Sequence, residues 1–148
     1  MKTFFRRIAP FVIAAILPFA FIAGCAEPTP AEHVVTAKKL IDEGNLESAS
    51  IELSNALQQD PNLLEARWLL GKVSLDLGDG PKAEKEIRRA IDLGYAHESA
   101  QLALVRAVAL QDEPARVITE TESVDRAVPP ADRATMLGLR AQALASRG

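Results

Sequence analysis

The chain has 148 residues, of which 48% are hydrophobic, and its formal net charge at pH 7 is −3. Three of the 17 basic residues lie among the first 24 residues, which leaves 14 basic against 20 acidic residues, or −6, in the rest of the chain. This balance excludes the dense basic face that nucleic-acid binding requires, and the single cysteine excludes an internal disulfide. All five phenylalanines also lie before Cys25. The remainder is dominated by Ala, Leu, Val and Ile, which favours packed helices over sheets.

The N-terminal segment up to Cys25 has the pattern of an export signal. Lys2, Arg6 and Arg7 precede an apolar run that ends in small residues just before Cys25. The pattern predicts a cleaved signal peptide over residues 1–24. The alternatives are a plain transmembrane helix, an ordinary buried cysteine at position 25, or export by the twin-arginine route. The apolar run, residues 8–24, is interrupted by two prolines, and it is shorter than the roughly 20 residues that a spanning helix needs.

The ending Ile22-Ala23-Gly24-Cys25 resembles the lipobox of bacterial lipoproteins. The resemblance implies diacylation of the Cys25 thiol, cleavage before this residue and acylation of the new amino group. Two or more acyl chains anchor a protein stably to a membrane. Because Ala26 rather than Asp follows the cysteine, the resemblance also implies release to the outer membrane. We expect an exported protein, lipid-anchored at the outer membrane and facing the periplasm.

Residues 25–31 form a predicted lipidated, Pro-rich tether, and the chain beyond it repeats itself. One constant spacing separates Gly44 from Gly78, Ala49 from Ala83, Leu53 from Ile87, and Ala56 from Ala90. A period of about 34 residues, built as helix–turn–helix, is that of the tetratricopeptide repeat, or TPR. The pattern predicts an all-α, right-handed TPR-type helical-hairpin solenoid over residues 32–148. Its repeats are expected at about 30–63 and 64–97, followed by a degenerate third repeat at 98–130.

Residues 131–147 predict one extra helix after the third repeat. Its apolar residues Ala134, Leu137, Ala141 and Leu144 lie on one face and predict contact with a following helix. Terminal units of a solenoid need a polar outer face to stay soluble. We therefore expect the isolated chain to self-associate through this face or to fray there.

Four stretches carry a closer resemblance: residues 51–61, which end in the Asp60-Pro61 pair, residues 65–71, which read EARWLLG, residues 77–79, which read LGD, and residues 83–91, which read AEKEIRRAI. They resemble the TPR-repeat lipoproteins of the exosortase/PEP-CTERM system, the PrsT-like proteins. The resemblance implies a non-enzymatic scaffold in the bacterial envelope, concerned with exopolysaccharide and with sorting of PEP-CTERM proteins. Such proteins carry many repeats, so the resemblance also implies an N-terminal portion or a short relative. The alternatives are an envelope-assembly adaptor for outer-membrane proteins or cell-wall enzymes, and the non-catalytic part of an enzyme whose catalytic domain lies elsewhere.

A candidate binding groove follows from charges that recur on the first helix of each repeat. Such helices line the concave face of a solenoid, where ligands bind. The cations Lys38, Lys72 and Arg106 recur at the repeat period. Asp42 and Asp76 follow the two lysines by one helical turn, and Trp68 precedes Lys72 by one turn. The hypothesis is that they hold an extended protein segment by its carboxylates and one apolar side chain. The alternative is that the charges form i, i+4 pairs on a solvated face and that Trp68 packs between repeats.

The residues show no catalytic constellation, and we expect no cofactor, metal or catalytic site. His33 and His97 have no other ligands at metal-binding spacing and are interpreted as surface or packing residues. On the second helix of the second repeat, Glu84, Lys85, Glu86, Arg88 and Arg89 are predicted to form a solvated outer face whose charges nearly cancel.

Overall fold

The computed structural model describes residues 27–96, 99–124 and 128–147, and these residues form helices without any strand. The predicted signal peptide, Cys25 and His97 lie outside the described residues. The helices in chain order are α1 Pro30–Asp42, α2 Leu46–Gln59, α3 Leu64–Asp76, α4 Gly80–Asp92, α5 Ser99–Ala109, α6 Pro114–Val124 and α7 Pro130–Arg147. The predicted all-α helical-hairpin solenoid is confirmed. Within the described ranges, no helix combines the length and apolar character needed to cross a bilayer.

Local sequence signals set where the helices begin. At the start of α1, Thr29 and Glu32 form a capping box, in which the backbone N–H of Thr29 donates to the Glu32 carboxylate at 2.7 Å. Hydrogen bonds from the backbone and side chain of Thr29 lower the pKa of Glu32. Asn45 and Asp79 cap α2 and α4 by accepting from backbone N–H groups three residues later. These side chains satisfy N–H groups that have no partner inside the helix.

Glycine sets the turns inside the first two hairpins. Gly44 and Gly78 have φ values of 76° and 78°, a left-handed conformation in which a Cβ is strained. The equivalent position of the third hairpin is Asp112, which adopts φ 54° despite its side chain. The turn geometry is therefore retained in a repeat that has lost the glycine.

Small residues allow the helices of each hairpin to approach closely. Ala37, Ala49, Ala56, Ala83 and Ala90 are all fully buried, as the repeat pattern predicts. The two helices of the second hairpin approach closely at Gly71 of α3, where a Cβ would lie only 2.6 Å from Cγ1 of Ile87 on α4. Glycine is needed at this position because of space and not because of backbone conformation.

Three hydrophobic clusters join the hairpins in series. The first cluster contains Val34, Leu53 and Leu70, the second contains Leu75, Ile87 and Leu104, and the third contains Val105, Val117 and Met136. Each cluster packs the two helices of one hairpin against the first helix of the next unit. The core is therefore a continuous row of small clusters, as expected for a solenoid.

A contact between a nitrogen-bearing side chain of the first helix and a glutamate of the second helix recurs at one position of the first two hairpins. His33 contacts Glu52 at 2.5 Å between Nδ1 and Oε2, and Arg67 pairs with Glu86. Both members of the second pair lie one repeat period after those of the first. Glu86 is 3% exposed, and Arg67 also donates to the backbone carbonyl of Pro61. Burial of a carboxylate is tolerated here because it is ion-paired.

The prediction of a solvated charged face on α4 was wrong for Glu84 and Glu86. Burial alone would raise the pKa of the Glu84 carboxyl group, but hydrogen bonds from Gln111 and Arg88, and the charge of Arg116, lower the pKa below its ordinary value. Gln111 donates to Glu84 at 2.6 Å. These contacts join α4 to the turn after α5 and to α6, so the charges hold adjacent hairpins together.

Candidate functional site

A cavity of about 190 Å³ opens between α3 and α5 on the first-helix side of the solenoid. It gathers four of the six groove residues predicted from the repeat spacing, together with apolar side chains. The lining residues are Trp68, Lys72, Leu75, Asp76, Ser99, Leu102, Ala103 and Arg106. We refer to this cavity as the α3–α5 groove.

Trp68 forms a wall of the α3–α5 groove. Its ring stacks on that of Tyr95, with centroids 4.4 Å apart and planes at 23°, and it packs partly buried against the second core cluster. Burial raises the pKa of the Tyr95 phenol, so the stacked ring stays neutral at physiological pH. Trp68 therefore packs between repeats, as the alternative interpretation holds, and also presents part of its surface to the groove.

The charged residues of the groove are exposed to solvent. Among the residues that the structure describes, Lys72, Asp76 and Arg106 take part in no ion pair. The i, i+4 pair between Lys72 and Asp76, which the alternative interpretation requires, is thus not formed. Two cations and one carboxylate face solvent beside an apolar floor, and their charges are available to a ligand.

The first repeat does not extend this arrangement. Lys38 pairs with Glu65 of α3, with 2.6 Å between Nζ and Oε1, and Asp42 is exposed and absent from the groove lining. The i, i+4 ion pair on α1 joins Lys39 to Glu43. Lys38 and Asp42 therefore share a repeat position with the groove residues without sharing their surroundings.

Sequence reasoning missed the apolar floor, which consists of Leu75, Leu102 and Ala103. Leu102 stands one repeat period after Trp68, so the repeat spacing could have identified it. Leu75 and Ala103 are 8% exposed and look like ordinary core residues in the sequence. They reach the groove only because two first helices lie side by side.

The groove has the chemistry of a binding site. Lysine and arginine side chains bind carboxylates by charge-assisted hydrogen bonds, and the apolar floor beside them suits an aliphatic or aromatic side chain. In the described part of the chain, no cluster of three or more His, Cys, Asp or Glu residues could hold a metal ion.

Comparison with known families agrees with this architecture. Residues 40–108 match the family model described as Tetratricopeptide repeat. The match runs from the end of α1 to the end of α5, and it includes the α3–α5 groove. The helical-hairpin fold agrees with this match, which covers 69 of the 148 residues. Repeats of this class generally mediate protein–protein interactions, so protein segments are the partners that the fold indicates. No curated protein matches the chain significantly.

Proposed function

We propose that this protein is a non-enzymatic scaffold that binds an extended segment of a partner protein in the α3–α5 groove. The observation that carries the proposal is the convergence of Lys72 and Arg106, both without an ion-pair partner among the described residues, beside Trp68 and Leu102. A segment with a carboxylate near an apolar side chain would satisfy both parts of this surface.

Each part of the groove has a distinct role in the proposed complex. The guanidinium of Arg106 and the ammonium of Lys72 hold a carboxylate of the partner segment from two sides. The neighbouring apolar side chain lies on the floor between α3 and α5. At its end of the groove, Asp76 repels a second carboxylate and accepts hydrogen bonds from backbone N–H groups of the partner segment. Both effects favour one orientation of the segment.

The setting that we propose is the bacterial envelope. The basic, apolar and small-residue order before Cys25 supports a lipid anchor, and Ala26 supports the outer membrane with the repeats facing the periplasm. The likeness of residues 51–61 and 65–71 to PrsT-like proteins supports a role in exopolysaccharide production and PEP-CTERM protein sorting. These parts of the proposal depend on sequence features alone.

A capture experiment tests the groove. Envelope extract is passed over the parent chain and over Lys72→Glu and Arg106→Glu variants of matched circular dichroism, and the retained proteins are identified by mass spectrometry. Lys39→Glu is the matched control, because the Lys39 side chain is 77% exposed and lies outside the groove. Both groove variants should lose partners that the control retains, and binding by the parent should weaken as salt increases. An identical set of partners at identical yield for all four proteins would contradict the groove proposal.

A labelling experiment tests the anchor separately. Fatty-acid labelling in a bacterial host is compared between the parent and Cys25→Ser, which removes the acylated thiol. The label should disappear from the variant, and the protein should leave the membrane fraction or remain unprocessed. Equal labelling of both proteins would contradict lipidation at Cys25 and would leave the groove proposal unaffected.

A further inference from the structure

The last helix exposes an apolar stripe along its length. Leu137 and Leu144 are 53% and 52% exposed, and Ala134 and Ala141 accompany them on the same face of α7. The opposite stripe is the one that packs, with Met136 and Ala143 buried in the third core cluster. Leucines that are half exposed and follow one another at helical spacing indicate an interaction surface.

The position of α7 in the solenoid indicates what this stripe is for. α7 packs on α6 and α5, just as α5 packs on α4 and α3, so it occupies the place of a first helix. On α3 the residues that face the preceding hairpin are Ala66, Leu70 and Val73, all buried. On α7, Met136 and Leu139 have the spacing of Leu70 and Val73 and face the third cluster in the same way.

In this register, the exposed stripe corresponds to the residues that contact a second helix in the complete hairpins. Leu137 takes the place of Gly71, which lies against Ile87 of α4. The same register places Arg133 where α3 has Arg67. The stripe of α7 therefore corresponds to the face of α3 that contacts α4.

Arg133 strengthens the correspondence because it makes half of the contacts that Arg67 makes. The guanidinium of Arg67 donates to a carbonyl in the preceding turn and also pairs with Glu86 on the second helix. Arg133 donates to the carbonyl of Val128 in its preceding turn at 3.2 Å. Within the described residues it has no carboxylate partner.

The outer face of α1 serves as an internal comparison for a solvent-facing surface. Its residues Glu32, Thr36 and Lys39 are exposed and polar. The residues one repeat period later are Ala66, Leu70 and Val73, which are buried against the preceding hairpin. At these three positions, polar residues replace apolar ones where the helix faces water. Single apolar residues such as Val35 are exposed elsewhere on α1, whereas α7 exposes two leucines on one face.

We propose that α7 binds an amphipathic helix of a partner protein, antiparallel to α7 and of the same chemistry as α2 and α4. The partner helix places a glutamate against Arg133, and the apolar face of the partner helix packs on the apolar stripe of α7. The ion pair would be the counterpart of Arg67–Glu86 and would be shielded from solvent by the same docking.

The size of Leu137 further specifies the partner helix. In the hairpins α1–α2, α3–α4 and α5–α6, the first-helix residue at this position and its second-helix counterpart are Ala37 with Leu53, Gly71 with Ile87, and Val105 with Thr121. Leu53 and Ile87 are equal in size, and the counterpart is smaller only in the third hairpin, where the first-helix residue is the larger Val105 and the space between the helices is limited. Leu137 therefore requires a small residue, alanine or serine, directly after the partner's glutamate.

A peptide-binding experiment tests this proposal. The probe is a fluorescent peptide that copies residues 79–93 with Ile87→Ala, so that an alanine follows its glutamate, and its anisotropy is followed as the full chain is added. The parent should bind saturably, and Leu137→Ser or Arg133→Gln should weaken binding by about tenfold or more. Val35→Ser is the control, because Val35 is 67% exposed on α1, at the other end of the solenoid.

Two further arms distinguish the proposal from its rivals. A peptide that also carries Glu86→Gln should bind weakly to the parent chain. Its affinity should fall little further when the Arg133→Gln chain replaces the parent, since both changes remove the same ion pair. The peptide with Ile87 restored should bind less tightly than the alanine version. Absence of saturable binding, or binding that Leu137→Ser leaves unchanged, would overturn the proposal. Sedimentation that shows a dimer of the parent and a monomer of Leu137→Ser would also overturn it, because the face would then join two copies of this chain.

Discussion

Gly71→Ala tests how closely the helices of the second hairpin approach. The added Cβ would lie 2.6 Å from Cγ1 of Ile87 and 3.3 Å from its backbone nitrogen, and Ile87 is fully buried. Overpacking of this kind costs about 1–3 kcal/mol. Replacing glycine by alanine within a helix contributes about 1 kcal/mol in the opposite direction. The free energy of unfolding should therefore fall by up to about 2 kcal/mol, the difference of these two effects.

The matched control is Gly138→Ala in α7, where a Cβ would meet no atom within 4 Å. Only helix propensity operates at that position, and the local stability of α7 should rise by about 1 kcal/mol. Urea unfolding followed by circular dichroism measures global stability, and hydrogen exchange resolves α3 from α7. Changes of equal sign and size in the two variants would refute the close approach of α3 and α4.

A second variant tests the cause of the clash. Ile87→Ala removes the side-chain atom that the new Cβ would meet, at a cost of about 2–5 kcal/mol for the cavity that it creates. In that background, Gly71→Ala should stabilise the protein, because the methyl group then fills empty space. If Gly71→Ala destabilises both backgrounds equally, the strain does not come from Ile87.

The remaining predictions concern stability at single positions. Ser74 is 1% exposed and its hydroxyl has no hydrogen-bond partner among the described residues, so Ser74→Ala should raise the urea midpoint, by about 1 kcal/mol in free energy; a lower midpoint would show that the hydroxyl is satisfied. Asp112→Gly should stabilise the turn after α5 by about 1 kcal/mol, because it relieves the left-handed backbone at φ 54°, whereas Asp112→Ala should give no gain. Ala90→Leu should cost about 1–3 kcal/mol, because Ala90 is fully buried, and a melt as stable as the parent's would contradict the repeat register. The lowered pKa of Glu84 means that its ionised form stabilises the fold above the ordinary value of 4.5 and that this stabilisation is lost as the pH falls through the folded-state pKa. Glu84→Gln should accordingly be destabilising at neutral pH and approach the parent in urea titrations at progressively lower pH; a difference that does not depend on pH would exclude this linkage.

The sequence alone determined the helices, the hairpin turns and the small residues between the helices. These features depend on contacts within one repeat, and a periodic sequence shows the residue types that make those contacts twice, at a constant spacing. Ala49 and Ala83, or Gly44 and Gly78, recur because each hairpin has the same geometry. The shared repeat position of Lys72 and Arg106 was visible for the same reason.

The tertiary structure decided which of the repeated charges are free and which are paired. Lys38, Lys72 and Arg106 occupy one repeat position, yet Lys38 is paired with Glu65 of the next first helix, and the other two are not paired within the described part of the chain. The burial of Glu86 beside Arg67 was likewise hidden, because a glutamate on the outer side of an amphipathic helix looks solvated until the facing helix is placed. Charges act over distances longer than one helical turn, so their partners are set by the packing of neighbouring helices. A repeat period specifies the position of a side chain within its own hairpin, and only the stacking of hairpins specifies what that side chain contacts.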